Sequence, residues 1–269
     1  NKAGVSVHFV VERDGSIEQQ VPLNRRAAHA GKSSFHGRSD CNAFSIGIEI
    51  VNPGHEFGYR AFPEAQIAAV IALISDIRSR WTIADNRIIA HSDLAPDRKE
   101  DPGELFPWKR LAEAGHGLWF EPADERVQAL GGLLQKGDQG IGPMVLSAGL
   151  HRLGYGLKAS GDYDAAVETA VRAFQRHWRP ARVDGVADGE TRARLVGLLQ
   201  LASAESATGS SPATGTCTRK RNTISTPIVN HRRFLSSVAW PNLDRFRLEA
   251  IASARDARRG RVRVGAGCA

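Results

Sequence analysis

The chain has 269 residues, 42% of them hydrophobic and 24% charged, with a formal net charge of +7. That length holds one large or two modest domains with real cores, and no apolar run approaches the roughly 20 residues of a membrane span. Residues 201–269 hold 12 Lys/Arg against four Asp/Glu, whereas residues 1–200 hold 24 against 25. The excess positive charge therefore belongs to a tail, which argues against nucleic acid as the partner of the folded part.

Val5 to Val11 mixes alternation with β-branched residues and reads as a strand; Arg13-Asp-Gly15-Ser16 is a turn, and Ile17 to Val21 returns. His8 on that strand is either a hydrogen-bonded structural residue or a ligand. Residues 22–43 are polar and loop-like, with His29, Gly31, Lys32, His36 and Arg38. Such a loop lines a site on a rigid sheet or is a solvated connection.

Ser45-Ile-Gly-Ile-Glu49-Ile50 puts Ile46, Ile48 and Ile50 on one face by the two-residue period. Ser45, Gly47 and Glu49 fall on the other. Desolvation of a carboxylate there suits a general base acting near neutral pH; the alternative is a salt-bridged Glu on an exposed sheet face. Pro63-Glu64 opens a helix, Pro being tolerated in the first turn. Ile67, Val70, Ile71, Ile74, Ile77 and Trp81 then recur at three- and four-residue steps, a stripe for packing on the sheet.

Ile88 to Ala90 is an apolar strand leading to His91, and a loop broken by Pro96, Pro102 and Gly103 follows. If that loop doubles back, His91 and Asp101 converge. Imidazole nitrogen and carboxylate oxygen both suit zinc, which in catalytic sites takes about three protein ligands and a water. Lys99 places a positive charge beside that point. The bland alternative is a solvated turn with a capping Asp.

A short helical stretch after Phe106-Pro-Trp108 is followed by Gly- and Pro-bearing sequence, a linker over 116–126. Three amphipathic stretches then lie in 127–201, around Met144–Leu153, Ala165–Trp178 and Thr191–Leu201, and predict a small three-helix bundle suited to binding. From 202 to 269, Ser, Ala, Thr and Gly give way to Arg-rich sequence without clear periodicity, expected to be a disordered extension. Cys41, Cys217 and Cys268 show no CxxC spacing and give no disulfide framework. The chain opens without Met or a signal peptide, which we read as a cut start with localisation signals missing.

Ser6-Val-His8-Phe, Arg13-Asp-Gly15, His29-Ala-Gly31, Asn42 with Ser45 to Glu49, and His91-Ser-Asp-Leu-Ala-Pro-Asp-Arg-Lys99-Glu-Asp101-Pro-Gly103 resemble the zinc-dependent N-acetylmuramoyl-L-alanine amidases of the AmpD/AmiD type (amidase family 2). The resemblance covers residues 1–115. Residues 127–201, with Leu153-Gly-Tyr155, Ala170-Val-Arg-Ala-Phe174-Gln175 and Val183-Asp-Gly185, resemble the three-helix peptidoglycan-binding module. The implied fold is α/β: a mixed sheet flanked by helices, then the three-helix bundle.

The implied reaction is hydrolysis of the amide between N-acetylmuramic acid and L-alanine of the stem peptide, in cell-wall turnover or recycling. By the resemblance, His91 and Asp101 match two Zn2+ ligands, Glu49 the residue that activates the water, Lys99 the oxyanion stabiliser and His29 a substrate-binding position. The family's first zinc ligand is a His on a strand upstream of Val5–Val11, absent from the chain as given; His8 does not replace it, because family members carry a His there as well. Ala28 stands where a Trp usually precedes His29-Ala-Gly31.

The implied partner is peptidoglycan or muropeptides, with membrane contact only through a missing lipoprotein anchor. The order amidase then binding module resembles periplasmic, outer-membrane-associated members more than cytoplasmic members that lack the module. The competing expectation is an inactive peptidoglycan-binding remnant, and a third is nucleic-acid binding by the Arg-rich tail with steep salt dependence. The oligomeric state is left open.

Overall fold

The computed structural model describes residues 4–208 and the strand Arg247–Ile251. A first hairpin pairs β1 (Phe9–Val11) antiparallel with β2 (Ile17–Gln19), Phe9 opposite Gln19 and Val11 opposite Ile17. Its turn is closed by the Ser16 carbonyl accepting from the Glu12 amide, and by Asp14 Oδ1 accepting from both the amide and the hydroxyl of Ser16. A two-stranded ribbon of β3 (Ser34–Phe35) and β4 (Arg38–Ser39) follows in the loop.

Next comes β5 (Ser45–Ile50), parallel to β1 with Val10 opposite Glu49. Helix α1 (Glu64–Arg80) starts after Pro63, and an extended Trp81 ends it. Strand β6 (Ile88–Ala90) then runs directly into the four-residue helix α2 (His91–Leu94). Ile46, Ile48, Ile50, Ile67, Val70, Ile74 and Ile77 share one buried cluster, so the even face of β5 meets the stripe of α1 as its period requires. Ile71 and Trp81 sit at its partly buried margin. Gln66 is fully buried and donates to the carbonyls of Val11 and Val51, fastening α1 to the ends of β1 and β5.

Beyond α3 (Trp108–Glu113) and α4 (Asp124–Ala129), the helices α5 (Ile141–Leu153), α6 (Ala165–Trp178) and α7 (Gly189–Thr208) enclose a second core. It is built on Leu146, Leu150, Val167, Val171, Phe174, Leu195 and Leu198. Asp164 caps α6, its carboxylate accepting from the Val167 amide. The stretch 116–126, read as a linker, is docked onto this bundle: Leu118, Trp119 and Phe120 pack on the second core, and a Cβ at Gly197 would lie 2.2 Å from the Phe120 ring. Trp119 packs on both cores and Phe120 on the second.

The expectation of a disordered tail from residue 202 differs from the structure at two places. Helix α7 continues to Thr208, and Glu205 on it accepts from the amides of Asp85 and Asn86. Strand β7 (Arg247–Ile251) lies parallel between β5 and β6, giving a mixed sheet of order β2-β1-β5-β7-β6. Five residues with polar and apolar types interleaved give too short a periodic signal to stand out from an Arg-rich stretch. The rest of 202–269 lies outside the described residues. No helix among the described residues is long and apolar enough to cross a membrane.

Candidate active site

The loop after β6 doubles back. The Ser92 amide donates to the Asp101 carbonyl, and His91 Nδ1 lies 3.0 Å from Asp101 Oδ2. The His91 side chain is 4% exposed and that of Asp101 20%, so one is buried and its partner reaches solvent. The other ring nitrogen, Nε2, is 3.2 Å from the Ala30 carbonyl, which also accepts from the Arg98 guanidinium; Arg98 stands 3.4 Å from that same nitrogen. Ala30 is placed by Asn42, whose buried Oδ1 accepts from the amides of both His29 and Ala30 at 2.8 and 2.7 Å.

Lys99 and Asp101 share a cleft of about 250 Å³ with Asn52, His55, Tyr59 and Arg98. The Tyr59 hydroxyl donates to the Pro102 carbonyl and accepts from the Leu105 amide, and burial holds its pKa well above the usual phenol value. His55 stands between Glu100 and Glu104 at 3.7 and 3.1 Å. The cleft is thus bounded by a loop fixed at several points, with the lysine and the aspartate as its chemically useful groups.

Glu49 is half-buried on β5 and does not line that cleft. The register places it all the same: Ile48 and Ala90 both stand opposite Ala250, so Glu49 is level with His91, one strand between them. Two strand spacings separate them, roughly 10 Å. Gly47, on the same face as Glu49, is where the His29 ring packs; a Cβ there would lie 2.5 Å from the ring.

His29 is 6% exposed, with Nε2 3.4 Å from the Ser45 hydroxyl. Burial first, then the nearby His8, lowers its pKa to about 3. It is therefore neutral near pH 7 and buried, and it does not line the cleft that holds Lys99 and Asp101. His8 is resolved as structural: its Nδ1 accepts from the Gly47 amide at 3.0 Å, so its Nε2–H donates to the Arg25 carbonyl at 3.0 Å. Burial lowers its pKa too.

The 3.0 Å between His91 Nδ1 and Asp101 Oδ2 is a hydrogen-bond distance, and it is also close to the roughly 3.3 Å that separates two ligands of a tetrahedral zinc. Among the described residues no group of three His, Cys, Asp or Glu side chains is assembled to hold a metal. These residues fit two positions of a zinc centre and do not complete it. Asn42 entered the sequence reading only as part of a motif, without a role, and Arg98 was given none; an Arg in a solvated loop carries no periodic signal, and only the fold shows that the two fix the carbonyl facing His91.

Residues 1–104 match the family model described as N-acetylmuramoyl-L-alanine amidase, and residues 144–195 match one described as "Putative peptidoglycan binding domain". The chain is 38% identical over 191 residues to the N-acetylmuramoyl-L-alanine amidase AmiD of Escherichia coli, covering 68% of this chain and 67% of that protein. Against the 1,6-anhydro-N-acetylmuramyl-L-alanine amidase AmpD of the same species it is 45% identical over 107 residues, 40% of this chain and 56% of that one. The chain thus spans about half to two-thirds of the length of these relatives.

Among solved structures, E. coli AmiD in complex with the substrate anhydro-N-acetylmuramic acid-L-Ala-D-gamma-Glu-L-Lys superposes with a TM-score of 0.63 at 36% identity, covering 74% of this chain and 80% of that one. AmpDh3 of Pseudomonas aeruginosa in complex with anhydromuramic pentapeptide gives 0.63 at 32% identity, covering 75% and 86%. Taken with the mixed sheet, the His91–Asp101 pair and the helical module, these matches establish that the chain belongs to the N-acetylmuramoyl-L-alanine amidase family.

Proposed function

We propose that this chain hydrolyses the amide between N-acetylmuramic acid and the L-alanine of the peptidoglycan stem peptide, with zinc, in cell-wall turnover or recycling. The observation that carries this is the His91–Asp101 pair, whose Asp101 lines a cleft together with Lys99, in a chain similar to amidases solved with muropeptides. His91 and Asp101 would hold the metal, with a third donor from outside the described residues. Zinc, when bound, polarises the scissile carbonyl and lowers the pKa of a water toward roughly 7.

Glu49, level with His91, takes the proton of the attacking water and returns it to the leaving amine. Lys99 meets the negative charge that develops on the carbonyl oxygen, a contribution on the order of 3 kcal/mol for a preorganised donor. His29 acts from behind, filling the space over Gly47. The α5–α7 module holds murein, and the periplasmic side of the outer membrane is the compartment in which such a substrate is met. Substituting Glu49→Gln is expected to abolish release of stem peptide while sedimentation with purified sacculi stays at the wild-type level. Unchanged turnover would remove Glu49 from the reaction.

The incomplete donor set among the described residues favours one second reading, a murein-binding protein without turnover. Sacculus binding with no peptide release in excess zinc is the outcome that selects it.

A further inference from the structure

The helical module reaches into the amidase part at one buried carboxylate. Asp93, third residue of α2, has no solvent exposure, yet both its oxygens are occupied. Oδ1 accepts from the Tyr155 hydroxyl at 2.6 Å; Oδ2 accepts from His177 Nδ1 at 2.6 Å and from the Ala90 amide at 2.8 Å. Tyr155 follows α5 and His177 belongs to α6, so two of the three donors come from the other core. Tyr155 is 1% exposed, and its pKa is held well above the usual value by burial and by Asp93.

The His177 ring, also 1% exposed, stacks on Trp108 of α3 at 3.8 Å and on Trp178 at 3.6 Å. Its neighbour Arg176 pairs with Glu100, the residue between Lys99 and Asp101. Consecutive residues of α6 therefore hold both ends of the segment 91–101: His177 through Asp93 near His91, and Arg176 through Glu100 beside Asp101. A third tie runs from the His36 amide to the Gly154 carbonyl, where Phe35 and Tyr155 form a bridge.

We propose that Tyr155, Arg176 and His177 are positioning residues of the amidase site, so that the murein-binding module is a structural part of the site and not only an anchor. The physical reason is the cost of a buried polar group left without its partners. A carboxyl group shut off from solvent is stable only with its hydrogen-bond partners in place, so α2, and with it His91, is fixed where the module's Tyr155 and His177 are. This inference rests on the proposed reaction for its catalytic consequence, but its structural half does not.

The test uses the full chain with Tyr155→Phe, which deletes one hydroxyl, and His177→Phe, which keeps a ring between the two tryptophans and deletes the donor. Three quantities are read: hydrogen exchange of the 88–101 segment, zinc affinity by competition with a chromophoric chelator, and kcat and KM on a soluble muropeptide too small to need the module. Each variant is expected to raise exchange in 88–101 at least tenfold while α1 keeps its protection. Zinc affinity and kcat should fall about tenfold, with sacculus sedimentation and KM unchanged. His177→Asn, which retains a side-chain donor, should recover part of the loss.

Wild-type exchange in 88–101 in both variants would overturn the proposal, as would wild-type zinc affinity and kcat in an active protein. If the wild-type chain proves inactive but the exchange coupling is present, the proposed reaction fails and the clamp stands. If His177→Phe does not fold, Tyr155→Phe alone decides.

Discussion

The ring of His29 lies where a side chain on Gly47 would have to go: a Cβ built there falls 2.5 Å from His29 Cγ and 2.7 Å from Nδ1. Gly47 is thus required by packing, since its backbone is ordinary strand and not the left-handed region. Gly47→Ala is expected to push His29 from its place, at about 1–3 kcal/mol for overpacking a closed core. Urea unfolding at neutral pH checks this, and unchanged stability would mean that the ring has somewhere else to go.

The same histidine makes the fold acid-sensitive. His29, with its pKa lowered to about 3, is neutral in the folded protein near pH 7, and burial lowers the pKa of His8 as well; in the unfolded chain each takes a proton near pH 6.5. Below that value the unfolded state binds more protons, so stability is full above pH 6.5 and falls as pH drops toward 3. The slope approaches about 1.4 kcal/mol per pH unit for each proton taken up. Denaturant unfolding between pH 7.5 and 4.5 should show this fall, and a His29→Asn chain should show a shallower one. Equal slopes would remove His29 as its source.

Asn42 accepts from two consecutive backbone amides, and the second of these belongs to the residue whose carbonyl faces His91 and Arg98. Asn42→Ala leaves both amides buried without that acceptor. A loss of about 1–3 kcal/mol is expected for each such group left unsatisfied, together with lower turnover as Ala30 shifts. Thermal unfolding and single-turnover kinetics on one preparation measure both.

Lys99 has no ion-pair partner among the described residues and lines the cleft beside Asp101. Its replacement by Met, similar in length and uncharged, is expected to lower kcat by about 10²–10³, the usual effect of deleting a donor to a developing oxyanion. KM and thermal stability should hardly change. A variant with wild-type kcat would show that the oxyanion meets another group.

Much of this arrangement was legible in the residues. The alternation of Ser45 to Ile50 and the three- and four-residue steps from Ile67 to Ile77 each satisfy one period only, so β5 and α1 form where the pattern puts them. The convergence of His91 and Asp101 was legible only as a condition, that the loop after the strand doubles back, and the fold meets it. Contacts across long separations were not legible. Asp93 reads as a loop acid, and nothing local indicates that Tyr155 and His177, 62 and 84 residues away, complete it. Likewise β7 enters the sheet between β5 and β6 from far along the chain, and Leu118, Trp119 and Phe120 pack the stretch read as a linker against the second core. Local periodicity specifies elements; which buried groups satisfy one another is decided only by packing.

The most direct measurement is release of stem peptide from a purified muropeptide by this 269-residue chain, followed by mass spectrometry with added zinc and with a chelator. The account predicts release of a peptide bearing a free L-alanine amine in zinc, lost on chelation and restored by returning the metal. Absence of release in excess zinc from a folded chain that still sediments with sacculi would contradict it.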